Sequence, residues 1–377
     1  MILINHSVAL ILSEHRPLST YPSVYNSAEL LSRAGYDVHL LIPEDMEIDH
    51  DLGKLKILRF NKKRPSVYFI LKTLLFCPFK YDLLIPYLQD ELIAAGIVGT
   101  ILKIPYIYFS LEIIGFDQSI NPISRIKKYL EILLNKKALF TVVQDEARKD
   151  LIAKIHKIDG SRIFQVPNSY IGLKREKSDY LREKFKIPDD QFIVLYAGAI
   201  ESWAIDASII EAAKEWSDDF VLIMHGFSRD NYIQELIPLI NEANLQRTKI
   251  ILSREVLQET EYFKLVSSAD IGLAWYKKEV PTNVLNMGLS SGKIAAFLRC
   301  GLPIIIPYHL KGISGHVGEY KFGIAVRDVL EIENALNAII EVYDFYQKNA
   351  FEFFMNQLDY EKYFNCILEE IRHVIDK

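Results

Sequence analysis

The stretch of this chain best suited to chemistry is Gly288-Leu289-Ser290-Ser291-Gly292-Lys293, followed by the apolar run Ile294-Ala295-Ala296-Phe297-Leu298 and by Cys300-Gly301-Leu302-Pro303. Small polar residues ahead of an apolar run mark a helix start, with Ser290 or Ser291 as its cap. The free N–H groups of such a start attract phosphate. Lys293 falls in the first turn, where a positive charge opposes the helix dipole, so a local anion would account for it. The plain alternative is an ordinary cap beside a solvent-facing lysine.

Two more glycines close apolar runs. Gly198 follows Phe192-Ile193-Val194-Leu195-Tyr196-Ala197, and Gly226 follows Phe220-Val221-Leu222-Ile223-Met224-His225. A glycine at the carboxyl end of a buried strand lets a ligand approach the backbone, and open parallel sheets bind ligands outside those ends. A tight turn without a ligand is the competing reading. The expected anion site therefore draws on Gly198, Gly226, Ser290, Ser291, Gly292 and Lys293. It is not a P-loop, because Met287 and Ile294 stand where that motif needs a glycine and a hydroxyl. The first apolar run, Val8-Ala9-Leu10-Ile11-Leu12, leads into no GxGxxG turn, which argues against a nicotinamide-dependent oxidoreductase. The nine histidines are scattered and form no HExxH. The economical scheme is a phosphate site of backbone donors and a lysine, with no metal and no cofactor.

These residues need elements to hold them. Short apolar runs at 8–12, 38–43, 55–60, 81–86, 105–109 and 138–143 read as buried parallel strands, with helical spacing at 24–34, 91–102 and 125–137 between them. The alternation restarts after a polar segment, 174–190, with strands at 191–198, 220–226, 248–252, 271–275 and 302–307. Repeated strand–helix–strand units imply right-handed crossovers and a covered sheet. The fold class is α/β with two domains, 1–170 and 171–345, and their boundary is expected between Asn168 and Gln191. A helical segment, 346–377, has apolar spacing suited to packing back on the N-terminal domain.

Composition narrows the function. Lysine plus arginine is 44 against 49 aspartate plus glutamate, a formal charge of -5, which argues against a nucleic-acid partner. The three cysteines, Cys77, Cys300 and Cys366, show no CxxC spacing and suit a reducing compartment. No stretch reads as a signal peptide or a membrane span. The expected location is cytoplasmic.

Taken in order, several segments resemble a known superfamily. Ala28-Glu29-Leu30-Leu31-Ser32-Arg33-Ala34-Gly35-Tyr36-Asp37-Val38, Val166-Pro167-Asn168-Ser169, Leu195-Tyr196-Ala197-Gly198, Leu222-Ile223-Met224-His225-Gly226, Ala269-Asp270-Ile271-Gly272-Leu273 and Ser291-Gly292-Lys293 through Gly301-Leu302-Pro303-Ile304-Ile305 resemble landmarks of GT-B glycosyltransferases. The likeness spans nearly the whole chain and is closest to the group called family 4 or group 1. It implies two Rossmann-like domains facing each other across a cleft, the first for the acceptor and the second for a nucleotide-diphosphate sugar. It further implies retaining transfer, with a UDP-sugar favoured as donor and a glycan or polyprenyl-linked acceptor; the metal-independent route is the reading of the phosphate site above. In such enzymes the acceptor side lies in the first domain. There Glu14, His15 and Glu112 are the candidates to orient or deprotonate an acceptor hydroxyl, with loop capping as the alternative.

Two departures stand out. The family's donor-contacting glutamates would fall at Ala296 and Gly288, and residues 199–204 carry neither of the arginine and lysine often found there. They keep two alternatives open: a catalytically silent nucleotide- or glycan-binding partner of a glycosylation complex, and a nucleotide-sugar epimerase. Lys62-Lys63-Arg64 ahead of the apolar run 67–76, and Arg125, Lys127 and Lys128 ahead of Leu130, Ile132, Leu133 and Leu134, suit an anionic membrane surface. Peripheral attachment to the inner face of the membrane is the matching expectation.

Overall fold

The structure, a computed structural model, describes residues 6–14, 16–49, 53, 55–61, 66–77, 79–115, 121–228, 231–280, 282–285 and 287–375. The chain divides into two compact units, Met1–Ile171 with Tyr360–Lys377, and Gly172–Asp359.

The first unit runs β1 (Ser7–Ile11), α1 (Pro22–Arg33), β2 (Asp37–Pro43), β3 (Lys56–Phe60), α2 (Ser66–Phe76), β4 (Leu83–Pro86), α3 (Gln89–Leu102), β5 (Tyr108–Phe109), α4 (Pro122–Asn135), β6 (Thr141–Val143), α5 (Glu146–His156) and β7 (Ile163–Gln165). Strands order as β3-β2-β1-β4 and β5-β6-β7, all parallel. A parallel bridge from Leu84 to Tyr106 joins the two sets. β1 lies between β2, with Val8 opposite Val38, and β4, with Val8 opposite Leu83. Its residues Val8 to Ile11 are fully buried, which is why this strand reads as an unbroken apolar run rather than an alternating one.

The second unit runs α6 (Tyr180–Phe185), β8 (Phe192–Ala197), α7 (Ser208–Glu215), β9 (Phe220–His225), α8 (Tyr232–Ala243), β10 (Ile250–Ser253), α9 (Glu259–Ser267), β11 (Ile271–Leu273), α10 (Thr282–Leu285), α11 (Gly292–Arg299), β12 (Ile304–Pro307), α12 (Lys311–Tyr320), β13 (Gly323–Val326), α13 (Ile332–Glu341) and α14 (Tyr343–Phe353). Its sheet is parallel with order β10-β9-β8-β11-β12-β13. The first strand of each unit thus lies inside its sheet, flanked by one strand that follows it directly and one that arrives by a longer connection. That reversal of strand order is where an open α/β sheet offers a ligand crevice at its carboxyl edge.

Most expected elements are present with shifted ends. α4 starts at Pro122 rather than near 125, because Asn121 and Ser124 form a reciprocal capping box and Pro122 fits the first turn. β13 has no counterpart in the sequence reading, since its four residues open on a glycine that reads as a turn.

The last helix, α15 (Tyr360–Ile375), belongs to the first unit. The Tyr360 hydroxyl donates to the Ser23 carbonyl at 2.9 Å, and it lies 2.7 Å from Ser27 Oγ on α1. Phe364, Ile367 and Ile371 are fully buried one or two turns apart, which is the apolar stripe visible in the sequence.

Candidate functional site

In the second unit the carboxyl ends of β8 and β9 run into Gly198 and Gly226. Gly198 N donates to the His225 carbonyl at 2.9 Å and Gly226 N to the Ser253 carbonyl at 3.0 Å, so the parallel ladder continues through both. A Cβ on Gly226 would lie 1.8 Å from the Gly198 oxygen. Gly198 itself has φ +150, and a Cβ there would meet Lys293 Cε at 2.8 Å. The two glycines therefore keep two backbone segments and one lysine side chain in the same small volume.

Lys293 comes from the first turn of α11. Ser291 is the cap of that helix, with extended backbone and its Oγ accepting from Ile294 N at 3.4 Å. The N–H groups of Gly292 and Lys293 precede the first intrahelical bond, Ala295 N to Ser291 O, and so are orphan donors of the helix start. Lys293 Nζ is buried and has no hydrogen-bond partner among the described residues. It lies over two aromatic rings, 3.9 Å from the centre of Tyr196 and 4.5 Å from that of Tyr276. Burial pulls its pKa down to about 7. Burial also pushes the Tyr276 phenol up to about 12 and Tyr196 well above its ordinary value, so both rings stay neutral. The Tyr196 hydroxyl donates to the Ala199 carbonyl at 2.6 Å. At the next strand end, His225 Nδ1 lies 3.0 Å from Ser253 Oγ, and burial lowers the imidazole to about 4.

Gly198, Gly226 and Lys293 are thus brought together, with Ser290, Ser291 and Gly292 at the head of the helix that carries the lysine. The site pairs orphan N–H groups with one amine, a donor set for a phosphate-type anion. Gly288-Leu289-Ser290-Ser291-Gly292 also has the Gly-x-Ser-x-Gly spacing of a hydrolase nucleophile elbow. An elbow sits between a strand and a helix, whereas α10 precedes this one, so the elbow geometry is not formed. Tyr196 and Tyr276 escape the sequence reading because aromatics beside strands look like ordinary core.

The acceptor-side candidates lie in the first unit. Glu14 follows β1 and accepts from the Tyr21 hydroxyl at 3.3 Å. Burial, with the Glu14 and Glu112 carboxylates nearby, holds that phenol protonated. Glu112 is exposed, and its carbonyl accepts from Ser110 Oγ at 3.3 Å. His15 lies outside the described residues. One carboxyl went unnoticed in the sequence: Glu91, in the first turn of α3, is fully buried. Its Oε1 accepts from Ser13 N at 2.6 Å and from Ser13 Oγ, while Oε2 has no partner among the described residues. Burial raises it to about 7. A glutamate at a helix start normally marks a solvated first turn, so nothing in the sequence signals this burial.

Two charges expected at a surface are committed elsewhere. Lys128 is fully buried, 3.0 Å from Glu131, and Lys127 pairs with Asp90 at 2.7 Å. Helical spacing turns Lys128 onto the face that packs inward. Lys62, Lys63 and Arg64 lie outside the described residues. The sequence also holds an Asp-x-Asp spacing, Asp49-His50-Asp51, of the kind that can hold a divalent ion. Asp49 accepts from Ser19 N at 2.8 Å and from Ser19 Oγ, while His50 and Asp51 are outside the described residues.

No family model matches the chain, and no curated protein matches it. Solved structures do. Anabaena HepE in complex with UDP and glucose superposes with a TM-score of 0.73 at 14% identity, over 98% of this chain and 100% of that one. A glycosyltransferase from Rickettsia africae gives 0.71 at 13% identity over 99% of both chains. A UDP-N-acetylglucosamine 2-epimerase gives 0.62 at 11% identity, over 98% and 96%. HepE has also been solved with UDP-glucose. At these identities the likeness establishes the fold: GT-B, with two Rossmann-like domains.

The two glycines differ in a measurable way. Gly226→Ala drives a methyl into backbone and is expected to cost ~3 kcal/mol, the upper end for overpacking. Gly198→Ala meets the flexible end of Lys293 and is expected to cost less. All three tryptophans, Trp203, Trp216 and Trp275, lie in the second unit, so a tryptophan-fluorescence denaturation curve reads the difference. Equal midpoints for the two variants would contradict this packing.

Proposed function

We propose that this chain is a glycosyltransferase that binds the diphosphate of a nucleotide sugar at the start of α11 and against Lys293. The observation that carries the reading is the Lys293 amine: buried, without a hydrogen-bond acceptor among the described residues, beside orphan helix N–H groups at the carboxyl edge of a parallel sheet. Gly198 and Gly226 let the two strand ends and the end of Lys293 close together beside that helix start. As the sugar leaves, negative charge grows on the diphosphate, and fixed N–H donors with an ammonium stabilise that charge without reorganising. The UDP and UDP-glucose held by HepE support a UDP-sugar as donor. The sequence resemblance supports retention of configuration, and the donor set of N–H groups and Lys293 supports a metal-independent route.

The acceptor is a glycan or a lipid-linked sugar, and Glu14 and Glu112 are the carboxylates we assign to orient its hydroxyl. A second reading, a nucleotide-binding partner without turnover or an epimerase, rests on Ala296. It is fully buried where the resembled family carries a donor-contacting glutamate.

Attachment to an anionic membrane rests on the first unit. α2 packs on α3 and α3 on α4. These helices expose Phe76 at 80%, Ile123 at 68%, Tyr129 at 65% and Ile101 at 64%, with Lys72 and Arg125 exposed among them. Neither α2 nor α4 shows an exposed carboxylate, since Glu131 is buried. Aromatic and aliphatic side chains beside basic ones suit an anionic lipid interface. This surface supports a reading in which the enzyme works beside a polyprenyl-linked acceptor on the inner face of the membrane, in surface polysaccharide or glycoconjugate synthesis.

Calorimetry tests the donor site. Lys293→Ala should weaken UDP binding about 10–100-fold, the value of one charge-assisted hydrogen bond, and leave uridine binding nearly unchanged. Equal losses for both ligands would sink the assignment. Release of glucose from UDP-glucose, even slow and without acceptor, separates an enzyme from a silent binder. For the membrane surface, flotation should carry the protein with anionic vesicles and not with neutral ones. Phe76→Ser with Tyr129→Ser should abolish it, and a protein that ignores anionic vesicles at low salt excludes this surface.

A further inference from the structure

Lys293 is enclosed in a way that ties donor binding to a proton. We propose that the empty site stores the Lys293 amine in a pocket without counter-charge, between Tyr196 and Tyr276, and that donor binding is accompanied by uptake of a proton onto Nζ. The inference rests on the donor-site reading and adds a regulatory property to it.

The geometry carries the argument. Nζ has no oxygen to donate to among the described residues. Among the described residues, the groups around it bring no negative charge to it. From β8 comes the Tyr196 ring and from the segment after β11 the Tyr276 ring, both phenols remaining protonated. His225, at the end of neighbouring β9, is neutral above its lowered pKa. Lys184 and Glu255, which act on that histidine, form an ion pair with each other. Glu201, on the loop after β8, accepts from Trp203 Nε1. The rings attract a cation through their faces. That attraction offsets only part of what a buried ammonium loses when it leaves water. The balance shifts toward the neutral amine, and burial lowers the pKa to about 7.

A nucleotide-sugar diphosphate changes the balance. Its oxygens accept from Nζ and supply the missing charge, so the bound complex favours the ammonium. The sign follows from linkage. The pKa is low in the free protein and higher in the complex, so affinity is full below about pH 7. It then falls as pH rises, about tenfold per unit, until the pKa of the complex is reached.

UDP-glucose is the probe, because its diphosphate does not titrate near neutrality, whereas UDP carries a terminal phosphate that does. Titrations at pH 7.5 in PIPES and in Tris, buffers of small and large ionisation enthalpy, should give heats that differ by the uptake of most of one proton. The affinity should weaken between pH 7 and 9. Lys293→Arg, whose guanidinium keeps its charge, should bind with no such dependence. Protein labelled with [6-13C]lysine, assigned against Lys293→Ala, should show one resonance titrating near neutrality that UDP-glucose drives to its charged position. UDP-glucose binding with buffer-independent heat, and a Lys293 resonance that titrates near the ~10.4 of a solvated lysine, would overturn the inference and leave the donor site standing. Failure of both UDP and UDP-glucose to bind at any pH would remove the donor site and this inference together.

Discussion

Where β8 and β9 leave the sheet, the chain passes itself so closely that a methyl on Gly226 would sit 1.8 Å from the Gly198 oxygen. The site depends on that approach. It brings the second strand end against the first and leaves beside Gly198 a gap that the end of Lys293 fills. A side chain at either position would push the strand ends apart or evict the lysine. The parallel ladder continues through both glycines, so a packed sheet sets the position of the gap rather than a free loop.

The first unit shows how this chain treats a buried lysine when no ligand is involved. Lys128 is fully buried, but its Nζ donates to Glu131 at 3.0 Å and lies 3.1 Å from His156 Nε2. Glu131 in turn accepts from Gln89 at 2.6 Å and from the Tyr108 hydroxyl at 3.0 Å. Burial keeps His156 neutral by lowering it to about 3, so its ring accepts from the ammonium. Removing one partner from such a set costs about 3–5 kcal/mol, and Lys128 is a structural charge, fully partnered. Lys293 has two rings and, among the described residues, no oxygen. One sequence carries both solutions, and the unpaired one stands at the sheet edge where ligands bind.

Much of this was legible in the sequence, and the limit is physical. Apolar runs closed by glycine marked the strands, because parallel strands are covered on both faces. The order of Ser291, Gly292 and Lys293 ahead of Ile294 to Leu298 marked a helix start, because capping is local chemistry. Burial of charge was not legible. Glu91 and Lys128 sit at ordinary positions on helices, and only tertiary packing turns them inward. The same holds for Tyr196 and Tyr276, which lie 97 and 17 positions before Lys293 in sequence and meet it only in the folded chain. β13 was lost for a different reason, since four residues opening on glycine are too few to outweigh a turn signal.

The most direct measurement is a crystal structure of the chain with a UDP-sugar bound. The account predicts that an oxygen of the diphosphate lies within hydrogen-bond distance of Lys293 Nζ and of the N–H groups of Gly292 and Lys293, beside Gly198. A complex in which the diphosphate sits elsewhere, with Nζ still between the rings of Tyr196 and Tyr276 and without a phosphate partner, would contradict it.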